Sequence, residues 1–166
     1  MPFILPANTL SAGGYDVDNS LRFNSGSSEK LTKSFGSAGD RTAWTLSFWT
    51  KRSSISGTNQ IFGKYTDGSN RDNCYFNTSN QFFWQIYNGG STVGRIITNR
   101  VFRDISAWYH IVMIYDSDNG TTNDRMRLYI NGERETSFGT YDTLSSGTSS
   151  NTNNSGTFTI GEDGNG

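Results

Sequence analysis

The sequence of 166 residues contains one cysteine, Cys74, and one histidine, His110. The first excludes an intrachain disulfide and a thiolate metal cluster; the second excludes any site built on two imidazoles. Proline occurs only at Pro2 and Pro6. No apolar run approaches the ~20 residues of a membrane-spanning helix. The opening Met1-Pro-Phe-Ile-Leu-Pro-Ala7 carries no basic stretch, and Pro6 breaks its apolar one, so we expect no secretory signal. Charge is scarce as well. Fourteen basic against 15 acidic side chains leave a formal net charge of −1, without the basic stripe of a nucleic-acid binder.

In place of charge stand Ser, Thr, Asn and Gly, which bond their own backbone and oppose helix formation. Aromatic residues make up 14% of the chain, too many for a disordered polar segment. The length suits one domain. The composition is that of an all-β globular domain.

Residues 1–18 read as an extended arm, with Pro2 and Pro6 early and Ser11-Ala-Gly-Gly14 as a flexible break. Short strand-like runs follow at the spacing of a sandwich or barrel: 20–23, 30–35, 43–51, 60–65, 73–78, 81–87, 94–99, 108–115, 125–130, 133–138 and 158–160. Ala43 to Lys51 alternates, with Trp44, Leu46 and Phe48 on one face and Trp49 on the other. Gln81 to Tyr87 sets Phe82, Trp84 and Ile86 opposite Phe83 and Tyr87 in the same way. Trp108 to Tyr115 is almost continuously apolar, as in a strand covered on both faces. Asn131-Gly132 predicts a two-residue hairpin turn with positive φ at both positions. Thr66 to Asp72 reads as a turn, and residues 143–157 as a low-complexity mobile loop.

Six segments in this order resemble the laminin-G-like branch of the concanavalin-A-like sandwich superfamily: Ser20-Leu-Arg-Phe-Asn24; Trp44-Thr-Leu-Ser-Phe-Trp-Thr-Lys51; Ile61-Phe-Gly-Lys64; Trp108-Tyr-His-Ile-Val-Met-Ile-Tyr-Asp116; Arg127-Leu-Tyr-Ile-Asn-Gly-Glu133; and Phe158-Thr-Ile-Gly161. The resemblance implies a two-sheet antiparallel sandwich, a jelly roll, over residues 19–166. The family's apolar closing strand after the Ile-Gly segment has no counterpart here, and an open sheet edge needs covering. Either the chain is a fragment of a longer protein, or the strand comes from elsewhere, with the arm or a neighbouring subunit as candidates. The first fourteen residues, running into Ser20-Leu-Arg-Phe23, also resemble the N-termini of marine bacteriophage virion proteins.

Glucanases that share this fold carry paired carboxylates on one strand, as retaining glycoside hydrolysis requires. No Glu-x-Asp-x-x-Glu pattern is present. Glu133 and Glu135 have the right parity but start at the hairpin turn and read as a solvated face. We therefore expect no enzyme. For calcium, Asp116 and Asp118, or Asp67 and Asp72, supply carboxylates for a rim site; the competing reading is loops that satisfy their own backbone. No other cofactor is implied. Trp49, Phe83 and Tyr87 are candidates for stacking on sugar rings, against a reading in which loops cover them. His110 reads as a structural histidine and Cys74 as a small apolar filler. Phe3, Ile4, Leu5 and Leu10 on the arm are too few to bury themselves and suit docking onto a partner subunit, or the sheet edge of their own domain.

These readings converge on a non-enzymatic virion component: a capsid-surface decoration or fibre domain, or a tail adhesin. Its partners would be other virion proteins through the arm, with a host surface glycan and a homo-oligomer as further expectations. The alternative is a carbohydrate-binding module recognising a cell-surface glycan, and more remotely a divergent glycosidase.

Overall fold

The computed structural model describes residues 20–164. These residues form eleven strands in two antiparallel sheets. The seven-stranded sheet contains β1 (Leu31–Phe35), β3 (Asn59–Asp67), β4 (Asn70–Phe76), β5 (Gln81–Asn88), β6 (Ser91–Val101), β10 (Phe138–Asp142) and β11 (Gly156–Ile160), in the order β1-β11-β3-β4-β5-β6-β10. The four-stranded sheet runs β2 (Ala43–Lys51), β7 (Trp108–Asp116), β8 (Met126–Ile130), β9 (Glu133–Arg134). The all-β sandwich read from the sequence is the fold observed.

Alternation decides which side chains meet between the sheets. Phe62, Cys74, Phe76, Phe82, Trp84, Ile86 and Ile96 come from one sheet, and Ile111, Met113, Tyr115, Met126, Leu128 and Ile130 from the other, all essentially solvent-free. Trp44 stacks on Tyr115 with centroids 5.4 Å apart and lies 5.6 Å from Trp84. Cys74 fills space, its thiol 3.8 Å from the Met113 sulfur and its pKa driven up by burial. Asn131 and Gly132 take φ of 53° and 85°, forming the expected turn between β8 and β9.

Several sequence expectations need correction. Ser20 to Phe23 is not a strand: Leu21 is 69% exposed and nothing among the described residues pairs with the segment. The turn at 66–72 shrinks to Gly68-Ser69, because Asp67 accepts from the Ser69 N–H at 2.8 Å and from the Asn70 amide, which lets both strands extend. β7 is covered on one face only, with Val112 and Ile114 half-buried on the outside. Glu133 to Phe138 is not one strand. β9 stops at Arg134, and the chain crosses at 135–137 to the other sheet, where β10 pairs with β6. Glu135 sits in that crossing, buried, with an oxygen 2.7 Å from Arg100 Nε and another accepting from the Ser137 N–H; only Glu133 remains a solvated side chain.

The segment 143–157 is the largest correction. Leu144, Ser150, Asn151 and Thr152 are buried. Asp72 on β4 faces inward, fully buried, and its carboxylate accepts from Ser150 Oγ (2.5 Å), the Thr152 N–H (2.7 Å), Thr152 Oγ1 (2.9 Å) and the Asn151 amide (3.2 Å). Its cross-strand neighbour Lys64, also buried, donates to the carbonyls of Ser155 (2.6 Å) and Thr157 (3.2 Å). Tyr115 Oη, Asn88 Nδ2 and Arg41 Nε donate to the next carbonyls, those of Thr148, Ser149 and Ser150. Two buried charges thus hold a stretch that has few apolar side chains of its own. Leu144 packs where Gly94 lacks a side chain: a Cβ there would lie 2.4 Å from Leu144 Cδ2.

Pairing of β1 with β11 brings the two ends of the described chain together, closed by an ion pair between Lys30 and Glu162. The seven-stranded sheet ends on β1, and the four-stranded sheet on β2, with no further strand among the described residues.

Candidate functional site

The register of five adjacent strands, β3 to β6 and β10, sorts the outward face of the seven-stranded sheet into three ladders. One runs Gln60, Tyr75, Phe83, Ile97, Thr140. The middle one runs Gly63, Asn73, Gln85, Arg95, Asp142. The third runs Tyr65, Arg71, Tyr87, Thr92. Same-face residues on a strand are about 7 Å apart, so a polar row lies between two rows that carry the aromatic rings.

Each row is braced from within. Tyr75 and Phe83 stack at 4.3 Å and 16°. Burial raises the Tyr75 phenol, with the Arg95 guanidinium pulling the other way. The Arg71 guanidinium lies 3.8 Å over the Tyr87 ring and donates to the Gly68 carbonyl at 2.9 Å. Tyr87 Oη donates to the Gly90 carbonyl and Gln85 Nε2 to Thr92 Oγ1, both at 2.6 Å. Arg95 pairs with Asp142 at 2.9 Å. These bonds hold rings and planar polar groups in fixed orientations before any ligand arrives.

At one end the face sinks into a hollow of about 340 Å³ lined by Tyr65, Gly68, Arg71, Asn73 and Asp163. Gly63 makes it: a Cβ there would lie 2.0 Å from the Asp163 carbonyl oxygen, so only glycine lets residues 161–164 lie across the sheet. Among the described residues, the buried atoms Gln60 Oε1, Asn73 Oδ1 and Arg95 Nε on this face have no hydrogen-bond partner.

Of the residues selected from sequence, Phe83 and Tyr87 belong to this face, each half-buried. Trp49 does not. It stands on the outward face of the four-stranded sheet, 59% exposed, stacked on His110 at 4.9 Å, beside the exposed Trp108. His110 also bonds Ser47 Oγ at 2.9 Å, and loops do not cover Trp49. The three aromatic candidates therefore occupy two opposite surfaces. For Tyr65, Arg71, Asn73, Tyr75, Gln85 and Arg95 the sequence alternation marks an outward position without saying which strands are neighbours.

Asp67 and Asp72, one of the two calcium pairs, are not brought together either. Asp72 is in the core and Asp67 is exposed at the hairpin, its oxygens taken by Ser69 and Asn70. Asp116 Oδ2 accepts from Asn119 at 3.0 Å and lies 3.9 Å from Arg127, while Asp118 is exposed. Calcium takes six to eight oxygens, and this donor set does not fit it. No group of three His, Cys, Asp or Glu side chains suited to a metal occurs among the described residues. Phe3, Ile4, Leu5 and Leu10 lie outside the described residues.

Known structures of similar shape include the native heptameric SAP-like pentraxin of Limulus polyphemus (TM-score 0.54, 18% identity, covering 82% of this chain and 58% of that one). Domains LG4-5 of the mouse laminin α1 chain are similar at the same TM-score, with 10% identity over 88% of this chain and 37% of that one. The chain thus spans less than two thirds of either. No curated protein matches the sequence. A laminin-G-type family model, described as the concanavalin A-like lectin/glucanases superfamily, matches residues 14–166. With the two-sheet sandwich, the Trp108 to Asp116 strand and the Asn131-Gly132 hairpin in place, the chain belongs to that laminin-G-type family of concanavalin A-like domains.

Proposed function

We propose that this domain is a non-catalytic carbohydrate-binding module, and that the outward face of the seven-stranded sheet is its sugar platform. One observation carries the reading: a row of Asn73, Gln85, Arg95 and Asp142 set between ladders bearing Tyr75, Phe83, Tyr65 and Tyr87. A sugar ring has an apolar face, which stacks on aromatics, and a rim of hydroxyls, which planar amides and guanidiniums address in pairs. The carboxylates nearby are already engaged. Asp142 is ion-paired and Asp72 is sealed behind Ser150 and Thr152, which argues for binding rather than hydrolysis.

A glycan array with the intact chain tests this. Binding to at least one glycan class is expected, weakened about tenfold by Phe83→Ala or Arg71→Ala and unchanged by Trp49→Ala. Absence of binding, or a loss confined to Trp49→Ala, would overturn the assignment.

We also propose that the module is carried on a virus particle, attached through its first residues. The support is the resemblance of residues 1–14 to virion N-termini and the apolar character of Phe3, Ile4, Leu5 and Leu10. Deleting residues 1–12 is expected to leave the melting temperature nearly unchanged and to abolish incorporation into particles. A large loss of stability would instead assign the arm to the fold.

A further inference from the structure

The crossing from β9 to β10 leaves a second hollow, of about 370 Å³, on the side of the sandwich where the sheets part. Met126, Phe138 and Tyr141 form its apolar wall, the two rings 5.2 Å apart. The Tyr141 hydroxyl is engaged by the carbonyls of Met126 (2.9 Å) and Asn123 (3.0 Å), two residues that also line the hollow, which leaves the ring as its free surface.

Three charged side chains line the same space, and two are neutralised. Arg134 is ion-paired with Asp124, and Glu135 with Arg100. Arg127 is different. Its closest carboxylate, Asp116, lies 3.9 Å away and also accepts from Asn119, while its buried Nε has no partner among the described residues. A guanidinium with so little compensation beside an apolar wall favours a ligand that supplies one negative charge and an apolar body. The volume falls in the lower range of small-molecule sites.

We propose that this hollow binds a small aryl- or alkyl-carboxylate, with the carboxylate on Arg127 and the apolar body against Met126, Phe138 and Tyr141. A phosphate is a poorer fit, since it brings a second charge and no surface for the wall. The site is separate from the sheet face assigned to glycans, and neither depends on the other.

The intact protein labelled with 13C at its methionine methyl groups tests the assignment on two internal reporters. Both are core residues, but only Met126 also borders the hollow, while Met113 lies against Cys74. Titration with 3-phenylpropionate should shift the Met126 methyl saturably and leave Met113 still. The uncharged 3-phenylpropanamide should bind at least tenfold more weakly, and Arg127→Gln should weaken the acid by a similar factor with the Met113 signal unmoved. No saturable Met126 shift at millimolar acid, or equal affinities for acid and amide, would overturn the proposal. Should Arg127→Gln disturb Met113, the acid–amide comparison on the unaltered protein decides alone.

Discussion

Asp72→Ala removes an acceptor that four donors share, and its cost follows from how well those donors can be satisfied elsewhere. The Asn151 amide keeps Asn88 Oδ1 at 2.6 Å and the Tyr87 carbonyl at 3.3 Å. The Thr152 N–H keeps Ser150 Oγ at 3.0 Å, and the Ser150 and Thr152 hydroxyls can rotate. What is lost is therefore about two bonds to a charged group rather than four stranded donors. Bonds of that kind contribute about 1.5–3 kcal/mol each. Because removing the buried charge returns part of this, the net cost is about 3 kcal/mol. Asp72→Asn keeps an acceptor and is expected to cost about 1 kcal/mol. For a chain of this length 1 kcal/mol moves the melting temperature by about 2–4 °C, so alanine should lower it by about 6–12 °C and asparagine by a third of that. Thermal unfolding followed by circular dichroism reads both shifts, and limited proteolysis should show new cleavage between residues 145 and 155 in the alanine variant. Equal losses for the two substitutions, or an alanine variant whose loop stays resistant, would refute the claim that the carboxylate fastens this segment.

The same residue carries a pH signature, since burial raises its carboxyl above the ordinary 3.8 against the opposing pull of Ser150, Thr152 and Asn151. A native pKa above the unfolded one means that the native state holds the proton longer, so its contribution is full below 3.8 and is lost as pH rises through the native value. The stability of the unaltered protein relative to Asp72→Asn should then fall from pH 3.8 upward and flatten, measured by paired melting curves; a rise would show that the hydrogen bonds outweigh burial. Gly94→Ala should cost about 1–3 kcal/mol through the clash with Leu144, and adding Leu144→Ala should cost less than the sum of the two, as a double-mutant cycle would show. Calcium in millimolar excess should leave the melting temperature unchanged, since Asp116 is engaged by Asn119 and Arg127; a rise of several degrees would reveal a site that these contacts do not describe.

Much of the sandwich is legible in period-two patterns. Trp44, Leu46 and Phe48 in β2, and Phe82, Trp84 and Ile86 in β5, mark their inward faces because alternate burial is local information. The Asn131-Gly132 turn is legible because positive φ at two successive residues restricts composition so strongly. Three things are not. The crossing at 135–137 depends on which sheet offers β10 a partner, which no local pattern states. The order of 143–157 comes from Asp72 and Lys64, far away in sequence, so a Ser- and Asn-rich stretch that would be mobile alone is fixed by buried charges. For the candidate platform, Phe83 and Tyr87 are visible as outward aromatics, but their neighbours Tyr75, Arg71 and Asn73 follow only from the register of three strands. Trp49 carries the same outward signature as Phe83 and ends on the opposite surface.

The pairing of β1 with β11 has a consequence for synthesis on the ribosome. Lys30 and Glu162 are separated by 132 positions in the chain, and among the described residues β1 has no strand beside it other than β11. At translation rates of about 5–20 residues per second, roughly 7–26 seconds pass between the making of β1 and the making of β11, its partner among the described residues. Over that interval Leu31 and Phe35, still 45% and 44% exposed in the finished fold, belong to a nascent strand whose partner β11 is not yet made. A chaperone that binds short apolar segments would find its best target here early in elongation, and release would await the last strand.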